Sequence, residues 1–223
     1  MLSQAALTRE NRINNRKFDP PSPADLVRLV QKHPLAWLVS CVEGAFSATL
    51  LPLRPVVDSS GVIVEFRGHF ARSNAHVGVV RDQSRAIALF LGPQGYISPS
   101  WMKDRTQAPT WAYASARFDL ELALVEGGAQ LDDIIHDLVD AMEAGRPGAW
   151  RAEEMGTRYR RLASGVVGFH ARVLEQRAKF KLGQDERADV FEDITAALAH
   201  EGPQELHEWI QHCNSQRTRG ASG

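Results

Sequence analysis

Residues 115–126, "SARFDLELALVE", constrain this chain more than any other stretch. Ala116, Phe118, Leu120, Leu122 and Leu124 take every second position, with Arg117, Asp119 and Glu121 between them. Successive side chains of an extended strand point to opposite faces, so this segment buries one face and wets the other. The pattern recurs in "VIVEFRGHF", where Val62, Val64, Phe66, Gly68 and Phe70 are expected on one face and Ile63, Glu65, Arg67 and His69 on the other. "GVVGFHARV" repeats it with Val167, Phe169, Ala171 and Val173 inward. "LAWLVSC" and "FSATLLPL" flank "VEG" as a hairpin, a turn spans Asp58 to Gly61, and "RAIALFLG" reads as a central strand.

Helical periods frame these strands. "PSPADLVRLVQKH" has Ser22 as an N-cap and Pro23 at the first helical position, and Pro34 stops it. "SNAHVGVVRDQ" is a short helix with Ser73 or Asn74 as its cap. In "LDDIIHDLVDAMEAG", Leu131, Ile134, Ile135, Leu138, Val139 and Met142 form a single helical face, with Gly145 suited to the C-terminal cap. Two amphipathic helices, "ERADVFEDITAALAHEG" and "PQELHEWIQHC", close the chain. The expected fold is α+β, mainly β: an antiparallel barrel with peripheral helices. The expected organisation is a flexible arm over residues 1–17, a barrel domain over 18–202 with a helical insertion at 130–145, and a C-terminal helix and tail over 203–223.

Composition narrows the function classes. The 223 residues carry a formal charge of −1, so no long-range field pulls the chain toward nucleic acid or anionic lipid. No run approaches the ~20 apolar residues of a membrane span, and the first residues lack a signal peptide, which predicts a cytoplasmic protein. Cys41 and Cys213 fit neither a disulfide framework nor a metal site, and Cys41 is expected as a buried small hydrophobe. There is no GxGxxG, Walker loop, GxSxG or HExxH motif, and no helix-turn-helix for direct DNA contact.

Three clusters carry chemistry. In "EFRGHFARSN", Arg67 and His69 share a strand face, and Arg72, Ser73 and Asn74 stand at a strand-to-helix junction suited to a phosphate. The commoner arrangement of such residues is a surface arginine, a capped helix and a packed histidine. In "KFKLGQDE", Lys179 and Lys181 face one side of a strand, where an anion or solvent would relieve their repulsion. Tyr96, Trp101, Trp111 and Tyr113 supply rings that either fill a core or stack on a flat ligand. "GPQGYISPSW", with Ser98, Ser100 and Trp101, either seals a core or holds such a ligand.

The segments "FRGHFARSNAH", "LFLGPQGYISPSWM", "APTWAYAS", "GVVGFHARV" and "AKFKLGQDE" resemble, in the same order, those of the PaiB family of FMN-binding negative transcriptional regulators, from about Lys17 to about Gly202. The resemblance implies a pyridoxamine-phosphate-oxidase-like split barrel forming a homodimer, with the flavin in the groove between subunits. It implies that Arg67, His69, Arg72, Ser73, Asn74, Ser98, Ser100, Trp101, Trp111, Lys179, Lys181 and Gln184 bind FMN, in a regulator or a flavin-dependent oxidoreductase. Leu50 and Arg117 stand where the family often has histidine, Ala112 where it has asparagine, and Gly183 and Asp185 where it has serine and asparagine. These departures open an alternative: a haem b enzyme like the piperazate synthases, which form an N–N bond, with His69 or His76 as the iron ligand and Lys179 or Arg72 pairing with a propionate. The resemblance names no catalytic residue and no metal besides that iron.

Overall fold

The computed structural model describes residues 16–215. The expected arm lies outside them except for Arg16 and Lys17, which open a 3-10 turn; Lys17 pairs with Asp185 at 3.1 Å. Residues 216–223 of the expected tail also lie outside.

Seven strands form one antiparallel sheet: β1 (Leu35–Val42), β2 (Ala45–Pro52), β3 (Arg54–Val57), β4 (Ile63–Ala71), β5 (Arg85–Ile97), β6 (Thr110–Val125) and β7 (Val166–Lys181). Their spatial order is β2-β1-β5-β6-β7-β4-β3. The first hairpin turns on Glu43 and Gly44, both at positive φ, the geometry that a two-residue hairpin with right-handed strand twist requires. The chain passes from one edge strand, β2, to the other, β3, through the fully buried Leu53. No hydrogen-bonded ladder joins β2 to β3 or β4 among the described residues, so the sheet curls into a barrel left open along one seam, the split barrel that was expected.

The inward rows bear out the alternation. Phe66 stacks against Phe90 at 5.4 Å and meets Phe118 edge-on at 4.7 Å, while Phe70 lies 4.9 Å from Phe169. One stretch departs. Ile63 is buried and Val64 exposed, the reverse of the expected phase, because the β3–β4 register slips between Val56 and Val57. An unpaired residue in a ladder switches the face of everything on its far side. From Phe66 onward the expected face holds. On β6 and β7, Leu124 and Val173 are only partly buried.

The helices close the ends and one flank. α1 (Pro23–Lys32) starts at the Ser22 cap, whose hydroxyl accepts the Asp25 amide at 3.3 Å. α2 (His76–Asp82) starts one or two residues later than expected; Ala75 holds the cap position, and the Asn74 side chain accepts the His76 amide at 2.9 Å. α3 (Ala129–Glu143) buries only Leu131 and Ile134 of its apolar stripe and leaves Met142 exposed. α4 (Arg158–Ala163), which the sequence reading lacked, docks on α3 through the Tyr159 hydroxyl, which donates to Asp132 at 2.6 Å. α5 (Ala188–Glu201) and α6 (Gln204–Cys213) seal the end of the barrel, where Trp209 is fully buried 5.5 Å from Phe180. No described helix is long and apolar enough to cross a membrane.

The segment "GPQGYISPSW" seals this core. Gly92 to Ile97 belong to β5, and the ladder to β6 slips between Leu91 and Gln94, which lets Pro93 sit in the strand without a missing hydrogen bond. A Cβ on Gly92 would meet Leu29 of α1 at 2.1 Å, and one on Gly95 would meet Leu206 of α6 at 2.7 Å. The glycines are there because two helices press on the strand.

Candidate functional site

Most of the sequence-predicted residues fall in three places. The first is the outer face of β5, β6 and β7. Residues paired across an antiparallel ladder point to the same side, so the register lists what stands together. Tyr96 pairs with Trp111, Tyr113 with Lys181, Ser115 with Leu91 and Lys179, and Arg117 with Leu89 and Arg177. Tyr96 and Trp111 are about half exposed and meet edge-on at 6.2 Å. The Lys179 ammonium lies 5.5 Å from the Phe18 ring and 6.0 Å from Tyr113, with no ion pair among the described residues. Lys181 donates to the Thr110 hydroxyl. Trp111 and Lys181, which the sequence left far apart, therefore line one hollow, with Lys179 two residues further along β7 on the same face. Arg117 and Arg177 were missed as site residues, though the charged positions of the "SARFDLELALVE" alternation already placed Arg117 on this face.

The second place is the β4–α2 junction. Arg72 is exposed, but its guanidinium is committed to acceptors of its own chain. Its Nε donates to the Ser164 carbonyl at 2.9 Å, Nη1 to Glu126 at 2.8 Å, and Nη2 to the carbonyls of Glu126 and Val166, both at 2.9 Å. Glu126 also accepts from Arg81, and hydrogen bonds from Arg81 and Arg72 hold its carboxyl below the usual range. The expected phosphate ligand thus stitches the end of β4 to the β6 and β7 termini, far along β7 from Lys179. Within one chain the two cationic segments do not converge. Ser73 is exposed. Asn74 turns inward, where its amide donates to Thr49 at 3.3 Å. Thr49 hydrogen-bonds His76 Nδ1 at 2.9 Å, and His76 Nε2 pairs with the buried Ser40 hydroxyl at 3.0 Å. His76 is itself buried, and burial lowers its pKa.

The third place lies beneath α3. Arg67 Nε donates to Glu65 at 3.2 Å, and the same carboxylate oxygen pairs with His170 at 2.9 Å. His69 stands beside Gly168, on which Leu131 and Ile134 of α3 pack, and burial lowers its pKa. Its Nδ1 is buried without a hydrogen-bond partner.

Other expected residues are structural as placed. Ser98 caps the 3-10 turn Pro99–Trp101, accepting the Ser100 amide at 3.1 Å and meeting its hydroxyl at 2.7 Å. Trp101 packs against the core. Gln184 staples the turn after β7, donating to the Phe180 carbonyl at 2.6 Å and accepting the Leu182 amide at 2.7 Å. Cys41, expected to be buried, is exposed. Alternation along β1 turns Ser40 inward and Cys41 outward, onto a face that is itself apolar.

That face completes the site. Leu35, Trp37, Phe46, Leu50, Leu89 and Leu91 are exposed on the outer surface of β1, β2 and β5, and one register row runs Leu50, Trp37, Leu89, Arg117, Arg177. An apolar, aromatic floor bordered by cations fits a flat anionic cofactor such as a flavin. For haem iron on this face, His76 does not fit, since both ring nitrogens are committed, and His69 Nδ1, though uncommitted, is buried beneath α3 away from it.

Comparison with known proteins agrees. The family model described as "Putative FMN-binding domain" matches residues 13–175. The chain is 24% identical over 189 residues to protease synthase and sporulation protein PAI 2 of Bacillus subtilis (strain 168), covering 82% of this chain and 87% of that protein. The structure of the FAD and haem binding protein from Mycobacterium smegmatis superposes with a TM-score of 0.54 at 18% identity, covering 78% of each chain. A conserved hypothetical protein from Mycobacterium tuberculosis gives 0.52 at 15% identity, over 75% of this chain and 91% of that one. At such identities the two structures speak for the fold alone. The chain therefore belongs to the PaiB-type FMN-binding domain family.

Proposed function

We propose that this protein binds FMN as a cytoplasmic homodimer, with the flavin at the subunit boundary. The observation that carries this reading is the exposed strip of Leu35, Trp37, Leu50, Leu89 and Leu91 adjoining Arg117, Arg177 and Lys179. A contiguous apolar patch on a free monomer marks an interaction surface. A two-fold axis lets the same strip cover itself. With β7 strands running oppositely across that axis, the Arg72 end of one copy approaches the Lys179 end of the other. Lys179 and Lys181 hold the flavin phosphate, and Tyr96, Trp111 and Tyr113 wall the ring. Ser73 of the other copy borders it, with Arg72 bracing its loop and Asn74 holding that loop from within. The flavin, when bound, supplies redox chemistry, while the chain orients it and keeps water from the ring. A role in repression of the PaiB kind would work through the state of the bound cofactor.

The second reading is a haem, as in enzymes of the piperazate synthase type; it requires α3 to move off His69, whose buried Nδ1 has no hydrogen-bond partner and would then hold the iron. Visible spectra of the purified protein with added FMN or haem separate the two. Flavin bands retained through gel filtration, at the size of a dimer, support the first. A Soret band that His69→Ala abolishes supports the second. A colourless protein that retains neither overturns both.

A further inference from the structure

We propose that the groove between β5 and β7 on this outer face binds the adenosine diphosphate moiety of a dinucleotide. The groove has a volume of about 300 Å³, and Leu89, Ser115, Arg117, Arg177 and Lys179 are among the residues that line it. Arg117 and Arg177 are direct cross-strand partners, and so are Asp119 and Glu175 one row away. Like charges thus face each other across the ladder, which is unfavourable unless something of opposite charge lies between them. The carboxylates only partly relieve the arginines. Arg117 gives Nη2 to Asp119 at 2.6 Å, and Arg177 gives Nε to Glu175 at 3.0 Å, with its Nη2 2.9 Å from the same carboxylate oxygen as an ion pair. Nε and Nη1 of Arg117 and Nη1 of Arg177 have no partner among the described residues and remain free to grip phosphate oxygens. The unpaired Lys179 and the Ser115 hydroxyl stand in the adjoining row.

The same row continues away from the arginines into Leu89 and then Trp37, which is 49% exposed. Strands are ~4.8 Å apart, so an aromatic surface begins about two strands from Arg117. A base held on Trp37 and Leu89 between the two copies of the dimer, with phosphates on Arg117 and Arg177, follows this order of side chains. The dinucleotide is either the flavin itself, as FAD, or a second dinucleotide bound beside FMN.

Calorimetric titration of the full chain with ADP tests this. Saturable binding is expected, weakened at least tenfold in Arg117→Gln/Arg177→Gln and by less in Arg117→Lys/Arg177→Lys, which keeps the charge but not the forked donors. Both positions are exposed, and a melting curve checks that each variant is folded. FAD binding tenfold tighter than FMN, and competing with ADP, assigns the moiety to the flavin. Equal affinities, with ADP still binding the FMN-loaded protein, assign it to a second dinucleotide. Absence of ADP binding, or binding indifferent to the glutamine pair, overturns the proposal. It stands or falls apart from the flavin reading: FMN retained without ADP binding removes only this inference, and ADP bound without any flavin removes only that one.

Discussion

Leu29 of α1 occupies the space that a side chain at position 92 would need: a Cβ on Gly92 would lie 2.1 Å from its Cδ1. Both residues are buried, so neither has room to yield. Gly92→Ala should cost about 1–3 kcal/mol by overpacking, read from urea or thermal unfolding. The reverse pair, Leu29→Ala with Gly92→Ala, should recover part of the loss that the two single changes predict together. Simple additivity would show that α1 does not press on β5 in this way.

The network around His76 makes stability depend on pH. Burial lowers the folded-state pKa below the ordinary value of 6.5. The unfolded chain then binds the proton more readily than the folded one. The histidine's contribution is complete above about pH 6.5 and is lost as pH falls from there through the lowered folded value. His69 adds to the same trend. Urea midpoints should drop between pH 7.5 and 5. His76→Gln should cost about 1–3 kcal/mol at pH 7.5, by leaving Ser40 or Thr49 without its partner. It should also flatten the pH dependence, and an unchanged slope would exclude His76 as a source.

The two cysteines should react very differently. Cys41 is exposed, whereas burial, aided by Asp25, pushes the Cys213 thiol up to about 12. Thiolate is the reactive form, so a disulfide reagent at pH 8 should titrate one fast thiol per folded chain. Cys41→Ser should abolish the fast phase, and a second thiol should appear only with denaturant.

Trp37 tests the covering of the outer strip. It is half exposed on β1, and Trp37→Glu removes little from the monomer core. Sedimentation or gel filtration should show the dimer converted to monomer with the melting transition of the isolated chain preserved. A variant that still elutes with the wild type would place the interface elsewhere.

Lys179 and Lys181 test the phosphate contact. A hydrogen bond to a charged group is worth about 1.5–3 kcal/mol net, so Lys179→Gln/Lys181→Gln should weaken FMN at least tenfold while riboflavin, lacking the phosphate, binds as before. Equal losses for the two ligands would assign the lysines a role other than phosphate binding.

Much of this was legible from side-chain period. Ala116, Phe118, Leu120 and Leu122 all point inward as the alternation requires, and Leu131 and Ile134 anchor α3 as the helical stripe requires. Val64 was misplaced because a bulge is a property of two paired strands, not of one. Cys41 was misplaced because "LAWLVSC" is apolar on both faces, and an apolar run cannot say which face is covered. Arg72 read as an open anion ligand because the carbonyls of Ser164 and Val166 that occupy it arrive from 90 or more residues away.

The sequence by itself determined the strands and every helix but α4, and through its ordered motifs the family, because period and turn chemistry act over a few residues. Only the tertiary structure decided which cations share a surface. Ladder register sets Arg117 against Arg177 and Lys179 beside Tyr113, and register is fixed by bulges and by helices pressing on glycines. Those contacts join residues distant in the chain, where no local pattern records them.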